Sequence, residues 1–549
     1  MKWADAPVGQ RLYDAWLDAL ADRGEWKEFV AHAEPTADVA KTCRYLRALV
    51  SVGRREEAMA AVPPLWQTPH SLPDECTPLF DSWIATRHLT EEMVWRRLTL
   101  AAASGETTLA RFLLRYLKGQ TLKDANTLLA LASHPATVAQ TELFRVDAPR
   151  VRDIVAFGLI RLAHVDPETA ARAWNDYEQR LHFDAATARR IDQDITRFLA
   201  RANILTLTAD LSPSPDGRHL DTAEALVVAA MGLEQYAQAI AFIDELAPEE
   251  QTEPRWRYWR GRAKLAMTSD GTIPDELVAL ARERQYYGFL AATRIGAPLQ
   301  LNPRELPSDP EADAKLYARP GMRRIEELFA LDAMSDARRE WQMLLPTLDP
   351  RERIAAIQRL ATMGWIDQSV IASADPALAD YLSIRFPHPY GNLFDGASRV
   401  TGLPQSFLYG VARQESAFGP TAVSPVGALG LMQLMPATAA RTARSTGDRV
   451  PPRSELFRAD VNLRYGSRYL AMLMKRYEGN RYLSAAAYNA GEFRVDRWLA
   501  ERPIISADLW IESIPFAETK NYVKAVLAFS YIYGQILGMP APFLTPDEH

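Results

Sequence analysis

Several things are scarce in this 549-residue chain: cysteine, concentrated charge of one sign, long apolar runs and alternating strand patterns. Sixty-three Lys and Arg mingle with sixty-nine Asp and Glu for a net charge of −6. No basic tract stands out, whereas a nucleic-acid binder concentrates its positive footprint, so that class is set aside. The longest weakly charged stretch, "AVLAFSYIYGQILGMPA", is short for a bilayer and carries Gly534, Gln535 and Gly538. It reads as a buried helix of a soluble protein with no membrane span. The opening "MKWADAPVGQRLYDAW" holds no apolar core of a signal peptide, consistent with a mature chain restarted at Met1 or with a shortened one. No phosphate-cradling glycine loop, Gly-x-Ser-x-Gly elbow or His-Glu-x-x-His pair occurs, and the nine histidines are scattered, so neither metal nor cofactor is implied. The two cysteines, Cys43 and Cys76, leave two readings open. They are buried free thiols in a reducing compartment, or in an oxidising one they close a loop for roughly 3 kcal/mol.

What is present is helical. With 48 % hydrophobic residues, the length suggests two to four domains. From residue 8 to about 300, short amphipathic segments follow one another. "VAKTCRYLRALVSVG" and "REEAMAAVPPLW" read as a helical pair with Gly53 at the stop of the first. Alanine recurs beside large apolar residues, as in closely stacked pairs. The period is not strict, and a superhelix of degenerate pairs with a wide curved surface is the natural architecture. "LNPRELPSDPEADA" then reads as a connection, and glycine, asparagine and aromatic content rise in the last third. The expected fold is all-α, in three parts: a superhelical domain over 1–300, a helical linker domain over 301–385 and a final domain over 386–549.

The chemistry concentrates in that final part. In "QSFLYGVARQESA", Phe407, Val411 and Glu415 are spaced by four, so a carboxylate occupies the apolar face of the helix. Such a glutamate is paired with an arginine, reaches solvent at the helix end, or is kept protonated. Burial and a helix C-terminus both push its pKa upward, and a protonated glutamate serves as a general acid. "SPVGALGLMQLMP" surrounds small residues with Ser424-Pro425, Gly427 and Gly430, so backbone can approach a ligand closely. Gln433 sits there among Leu431, Met432, Leu434 and Met435. "SAAAYNAG" places Tyr488 and Asn489 at a helix end, and "ESIPFAETKNYVKAVLAF" places Glu518 in the first turn after Pro515, on one face with Tyr522. Taken singly, each has a bland alternative as a turn or a cap.

Together and in this order, "RQESAF", "SPVGALGLMQLMP", "AAAYNAG" and "ESIPFAETKNYV" resemble the four motifs of the soluble lytic transglycosylases of bacterial cell walls. "WRYWRGRAKLA", "YYGFLAATRIG" and the Cys43/Cys76 pair resemble the doughnut-shaped helical domain of the large members, so the likeness covers essentially the whole chain. The resemblance implies a U-shaped superhelical N-terminal domain and a lysozyme-like catalytic domain, mainly α with room for a very small β element. By the same likeness Glu415 is the single catalytic acid, and Ser424, Gln433, Met435, Tyr488, Asn489 and Glu518 line the groove for sugar and stem peptide. Lys520 stands where an arginine is frequent. The resemblance further implies a periplasmic monomer with a Cys43–Cys76 disulfide. It would act on peptidoglycan strands, alone or beside other cell-wall enzymes.

A glycosidase ordinarily needs two carboxylates at the scissile bond. Asp448, Asp460, Glu478 and Glu492 read as solvated, and Glu512 and Glu518 fall in a binding motif, which leaves one inward acid. That suits the family's non-hydrolytic cleavage between N-acetylmuramic acid and N-acetylglucosamine, which ends in a 1,6-anhydromuramoyl product. The competing expectations are a hydrolytic muramidase resembling goose-type lysozyme and a non-catalytic wall-binding scaffold.

Overall fold

The computed structural model describes residues 6–207, 219–306, 308–502 and 504–548. Helices carry the regular structure throughout. Among the described residues the β features are two isolated antiparallel bridges, Val423 with Leu429 and Leu429 with Leu434. The all-α class with a very small β element is therefore what forms. No helix among the described residues is long and apolar enough to cross a membrane.

The chain divides into two compact units, one of Met1–Thr222 with Leu328–Met343 and the other of Ala223–Glu327 with Leu344–His549. In the first unit, successive short helices pack as neighbours: Val39–Ser51 on Arg55–Ala60, Glu91–Ala103 on Thr107–Leu113, and Pro149–Ala163 on both Gly119–Ser133 and Pro167–Arg180. One continuous core runs through them, with Trp66, Trp83, Trp95 and Trp174 buried beside alanines such as Ala101, Ala110 and Ala163. Small residues let the helix axes approach, and the tryptophans fill the space between pairs. The second segment of the expected first pair breaks at Ala61, because Pro63 and Pro64 restart it as Val62–Trp66.

The helix starts are legible one by one. Three Asp-Pro dipeptides begin α-helices in the same way, and Asp375-Pro376 opens a short 3₁₀ helix likewise. The aspartate accepts from a first-turn N–H and the proline occupies the first helical position: Asp166 with Thr169, Asp309 with Ala312, and Asp349 with Arg351 and Glu352. Glu352 answers by accepting from the Asp349 N–H at 3.1 Å, completing a capping box. Each such cap is worth about 1 kcal/mol.

In the second unit, the helices Pro254–Met267 and Tyr286–Ile295 join the C-terminal third through buried charge. Asp508 takes hydrogen bonds from Tyr258 and from Arg294, at 3.0 Å for the latter, and pairs with Arg262 at 3.0 Å. Glu512 pairs with Lys524 at 2.9 Å and accepts from Tyr287 at 3.1 Å. Lys520 is held by Glu224. The most extensive helix–helix contact in the molecule is between Gln405–Ser416 and the long helix Ala517–Ile536.

Cys43 and Cys76, 33 positions apart in sequence, are bonded to each other, with Cα atoms 5.0 Å apart. Both are fully buried in the core of the first unit. Of the two readings left open by spacing alone, the bonded pair is the one that forms. Closing a loop of that length contributes about 3–4 kcal/mol by restricting the unfolded chain. Replacing both cysteines with alanine is expected to lower the first calorimetric unfolding transition by several degrees. An unchanged melting profile would show that the bond contributes nothing.

Candidate active site

The helix Gln405–Ser416 starts after Pro404 and buries Phe407, Leu408 and Val411 without exposure. Glu415 continues that stripe one turn later. The residue is half-buried, so it keeps an opening to solvent, yet its carboxyl is walled by protein. Tyr522, on the long C-terminal helix and buried, donates a hydrogen bond to Glu415 Oε1 at 2.6 Å. Burial drives the Glu415 pKa up to about 8; the tyrosine hydrogen bond pulls against it, and the negative charge of Glu518 adds to the rise. Among the described residues no guanidinium relieves it. Arg413, two residues away, turns to the other side, stacked on Phe386 and Phe529 at 4.4 and 4.0 Å and donating to the Arg385 carbonyl at 2.9 Å. Of the alternatives for an inward glutamate, arginine pairing is thus excluded, and the protonated acid is what the surroundings favour.

The approach that makes the Tyr522 contact possible depends on Gly410. A Cβ there would lie 3.0 Å from both the Ser530 nitrogen and the Val526 carbonyl oxygen, backbone atoms of the facing helix. A side chain would push the helices apart right beside Val411 and, on the facing helix, one turn from Tyr522. The helix ends without glycine: Ala417 and Phe418 are both left-handed, with φ of 51° and 70°. Such residues cost on the order of 1–3 kcal/mol each and persist where packing holds them. Phe418 is held edge-on by Phe394, Tyr409 and Tyr533.

Ser416 Oγ donates to the Leu431 carbonyl at 2.7 Å and so ties the helix end to the loop 423–435. Within that loop the Ser424 N–H donates to the Ala428 carbonyl at 2.9 Å, and the Ser424 hydroxyl accepts from the Ala428 N–H at 2.9 Å. Gln433, left-handed at φ 45°, donates its amide to the carbonyls of Gly430 and Ala422, at 2.9 and 3.2 Å. Its carbonyl oxygen is the end of the amide with acceptor capacity to offer a ligand. The fully buried Asn462 fixes the loop from below. It accepts from the Met432 N–H at 2.7 Å and donates to the carbonyls of Leu429 and Leu456, at 2.8 and 2.7 Å. Tyr488 reaches the same loop, donating to the Met432 carbonyl at 2.9 Å, and its phenol stays protonated because burial and the nearby Glu415 charge both disfavour phenolate. Asn489 beside it accepts from Thr519 Oγ1 at 2.7 Å, which turns its NH2 donors outward from that contact.

Three family descriptions match parts of the chain: "Transglycosylase SLT domain" over residues 392–511, "Soluble lytic murein transglycosylase L domain" over 315–382, and "Soluble lytic transglycosylase helical domain" over 513–542. Along 556 aligned positions, covering 99 % of this chain and 84 % of the relative, it is 30 % identical to the soluble lytic murein transglycosylase of Escherichia coli K12. The chain belongs to the soluble lytic murein transglycosylase family. Its fold superposes with a TM-score of 0.87 on lytic transglycosylase Slt of Pseudomonas aeruginosa, solved as an inactive mutant with a glutamate changed to glutamine. That match has 34 % identity and covers 100 % of this chain and 90 % of the other. With the 70 kDa soluble lytic transglycosylase SLT70 of Escherichia coli the TM-score is 0.85 at 28 % identity, covering 99 % and 88 %.

For this family member, the residues singled out from sequence divide by their contacts. Glu415 acts electrostatically with both Tyr488 and Glu518, and Glu518 stands exposed in the first turn of the long helix. Ser424 and Gln433 shape the loop. Met435 lies exposed just before the helix Pro436–Ser445. Glu492, read as solvated, is instead half-buried and shared by Arg441 at 2.6 Å and Tyr469 at 3.1 Å. Glu512 is buried against Lys524, so only Glu518 of that motif faces outward. Tyr522 and Asn462 carried no assigned role in the sequence; the four-residue spacing of Tyr522 from Glu518 is the one signal that pointed towards it.

The raised pKa has a thermodynamic consequence. The folded chain holds the Glu415 proton up to about pH 8, whereas the unfolded chain releases it near 4.5. The stability from this group is therefore fully present below pH 4.5 and is lost as pH rises towards 8. Glu415→Gln, which cannot ionise, is expected to gain stability over the native chain between pH 5 and 8.5, on the order of 1–3 kcal/mol. Melting temperatures across that range test this, and parallel curves would refute it.

Proposed function

We propose that this chain is a peptidoglycan lytic transglycosylase in which Glu415 is first the acid and then the base. The observation that carries the reading is the lone carboxyl, raised to about pH 8 by burial and held by a tyrosine rather than a cation. Glu415 gives its proton to the oxygen bridging N-acetylmuramic acid C1 and N-acetylglucosamine C4, and the C1–O bond breaks. The muramoyl N-acetyl group steadies the cationic centre in place of a second protein carboxylate. The sugar's own C6 hydroxyl then closes onto C1, and its proton returns to Glu415. One turnover restores the acid, consumes no water and leaves a 1,6-anhydromuramoyl end.

Ser424, Gln433, Tyr488 and Asn489 orient sugar amides and hydroxyls, Met435 offers an apolar contact, and Glu518 meets polar groups of the substrate. Catalysis by placement of this kind requires a stiff site. The buried Asn462 under the loop and the ring packing around Phe418 support that requirement. Periplasmic residence accords with the Cys43–Cys76 bond, since disulfides persist in oxidising compartments. A three-part organisation, 1–300, 301–385 and 386–549, draws support from the matched stretches at 315–382 and 392–511, which fall inside the second and third parts, while the helical-domain match at 513–542 also falls in the third.

Mass spectrometry of the soluble products from purified peptidoglycan is the deciding experiment. Native enzyme is expected to release muropeptides two hydrogens and one oxygen lighter than reducing-end products, and Glu415→Gln to lose at least 1,000-fold in rate. Reducing ends would mean a hydrolytic muramidase, and no products from either protein would mean a scaffold. Because the Tyr522 hydrogen bond favours the Glu415 carboxylate, Tyr522→Phe should move the alkaline limb of kcat/KM from near pH 8 to higher pH, by about one unit. An unmoved limb would assign that limb to another group.

A further inference from the structure

Among the described residues, Arg97 is a buried cation with no anion to meet. It lies on the helix Glu91–Ala103 in the first unit and is 4 % exposed. Its guanidinium stacks over Trp66 at 4.4 Å and lies 5.9 Å from the ring of Phe80. Nη2 donates to the His70 carbonyl at 3.2 Å, and Nε is buried with no hydrogen-bond partner. Burial alone brings its pKa down to about 10. Buried charges are ordinarily paired, and a ring face attracts a cation without accepting its N–H.

A cavity of about 290 Å³ opens beside this guanidinium. Trp66, Phe80, Phe112 and Tyr116 line it, together with aliphatic residues such as Leu72 and Leu109 and small polar ones such as Thr108. Phe112 stands 44 % exposed at the surface, packed under Arg115 at 3.7 Å. Asp81 also lines the cavity but is exposed to solvent, whereas the groups touching Arg97 are rings and one carbonyl. A single planar, forked cation beneath aromatic walls matches a planar monoanion carried on a small apolar body.

We propose that this pocket binds the free terminal carboxylate of a short peptide. The carboxylate sits on Arg97 and the adjoining small apolar side chain sits between Phe80 and Phe112. The choice of a peptide as the carrier rests on the proposed action on peptidoglycan, whose stem peptides end in carboxylates. The pocket is then a second contact with the wall polymer, separate from the residues around Glu415.

Calorimetric titration of the full chain with N-acetyl-D-alanyl-D-alanine, with its C-terminal amide and with butyrate tests the assignment. The acid is expected to bind at least tenfold more tightly than the amide and than butyrate, and Arg97→Gln to lose at least tenfold. Phe112→Ala, at an exposed wall, should weaken binding several-fold with an unchanged melting temperature, and it decides the matter if Arg97→Gln fails to fold. Equal binding of acid and amide, undiminished binding by a folded Arg97→Gln, or no heat with the acid at millimolar concentration would overturn the proposal. Butyrate binding as tightly as the dipeptide would overturn the peptide assignment. None of these probes contains a glycosidic bond. Anhydro products without dipeptide binding would therefore sink the pocket alone, and dipeptide binding without such products would sink the catalytic reading alone.

Discussion

The crossing of two helices at Gly410 governs the chemistry of this protein. The close approach of Gln405–Ser416 to Ala517–Ile536 sets Tyr522 against Glu415, residues 107 positions apart in sequence. Everything unusual about the carboxyl follows from that meeting. Val411 and Phe407 supply an apolar wall, Tyr522 supplies one neutral donor, and Arg413 is turned away into its own aromatic clamp. Had the donor been a lysine or arginine, the acid would ionise below neutrality and hold no proton to give. A neutral phenol orients the carboxyl while leaving burial as the stronger influence.

Around this pair the backbone is bent into conformations that most residues avoid. Ala417, Phe418 and Gln433 are all left-handed, and they lie where the helix hands over to the loop and where the loop turns back. Neighbours make these bends tolerable: three rings around Phe418, two carbonyls for the Gln433 amide, and the wholly satisfied Asn462 beneath. At Gly430 the same packing admits no side chain, since a Cβ would stand 2.3 Å from the Leu456 carbonyl oxygen. Strain kept at a site by surrounding contacts costs stability that a purely structural loop would not give up.

Much of this was legible in the sequence because it is local. The four-residue spacing of Phe407, Val411 and Glu415 announced an inward carboxylate, whereas Asp309-Pro310 lay inside a stretch read as a connection and begins the helix Pro310–Ala318. Asn489-Ala490-Gly491 marked a helix end, which falls at Ala490 with Gly491 at φ 91°. Pairings across the chain were not legible. Asn462 sits inside "ADVNLRYGSRYL" with no turn or motif around it, and its role exists only once Leu429 and Leu456 are folded over it. Arg97 follows Arg96 in an amphipathic helix and looks like one of two surface charges, whereas Arg96 pairs outward with Glu92 and Arg97 turns in. Glu492 reads as a solvated residue after a glycine until Tyr469 and Arg441 close on it.

The buried charges of the second unit bear on how separable its parts are. Asp508 belongs to the stretch matched as the transglycosylase domain, yet Arg262 and Arg294, which neutralise it, and Tyr258, which donates to it, all come from helices more than two hundred residues earlier. Lys520 likewise finds its carboxylate in Glu224. A transglycosylase domain cut free of those helices would keep an anion and a cation whose counterions had stayed behind. In this chain the catalytic part is thus not a module that can be exchanged at will. Its electrostatic closure lies in the helical scaffold, and changes at Arg262 or Arg294 would have to be matched at Asp508 for both to remain folded together.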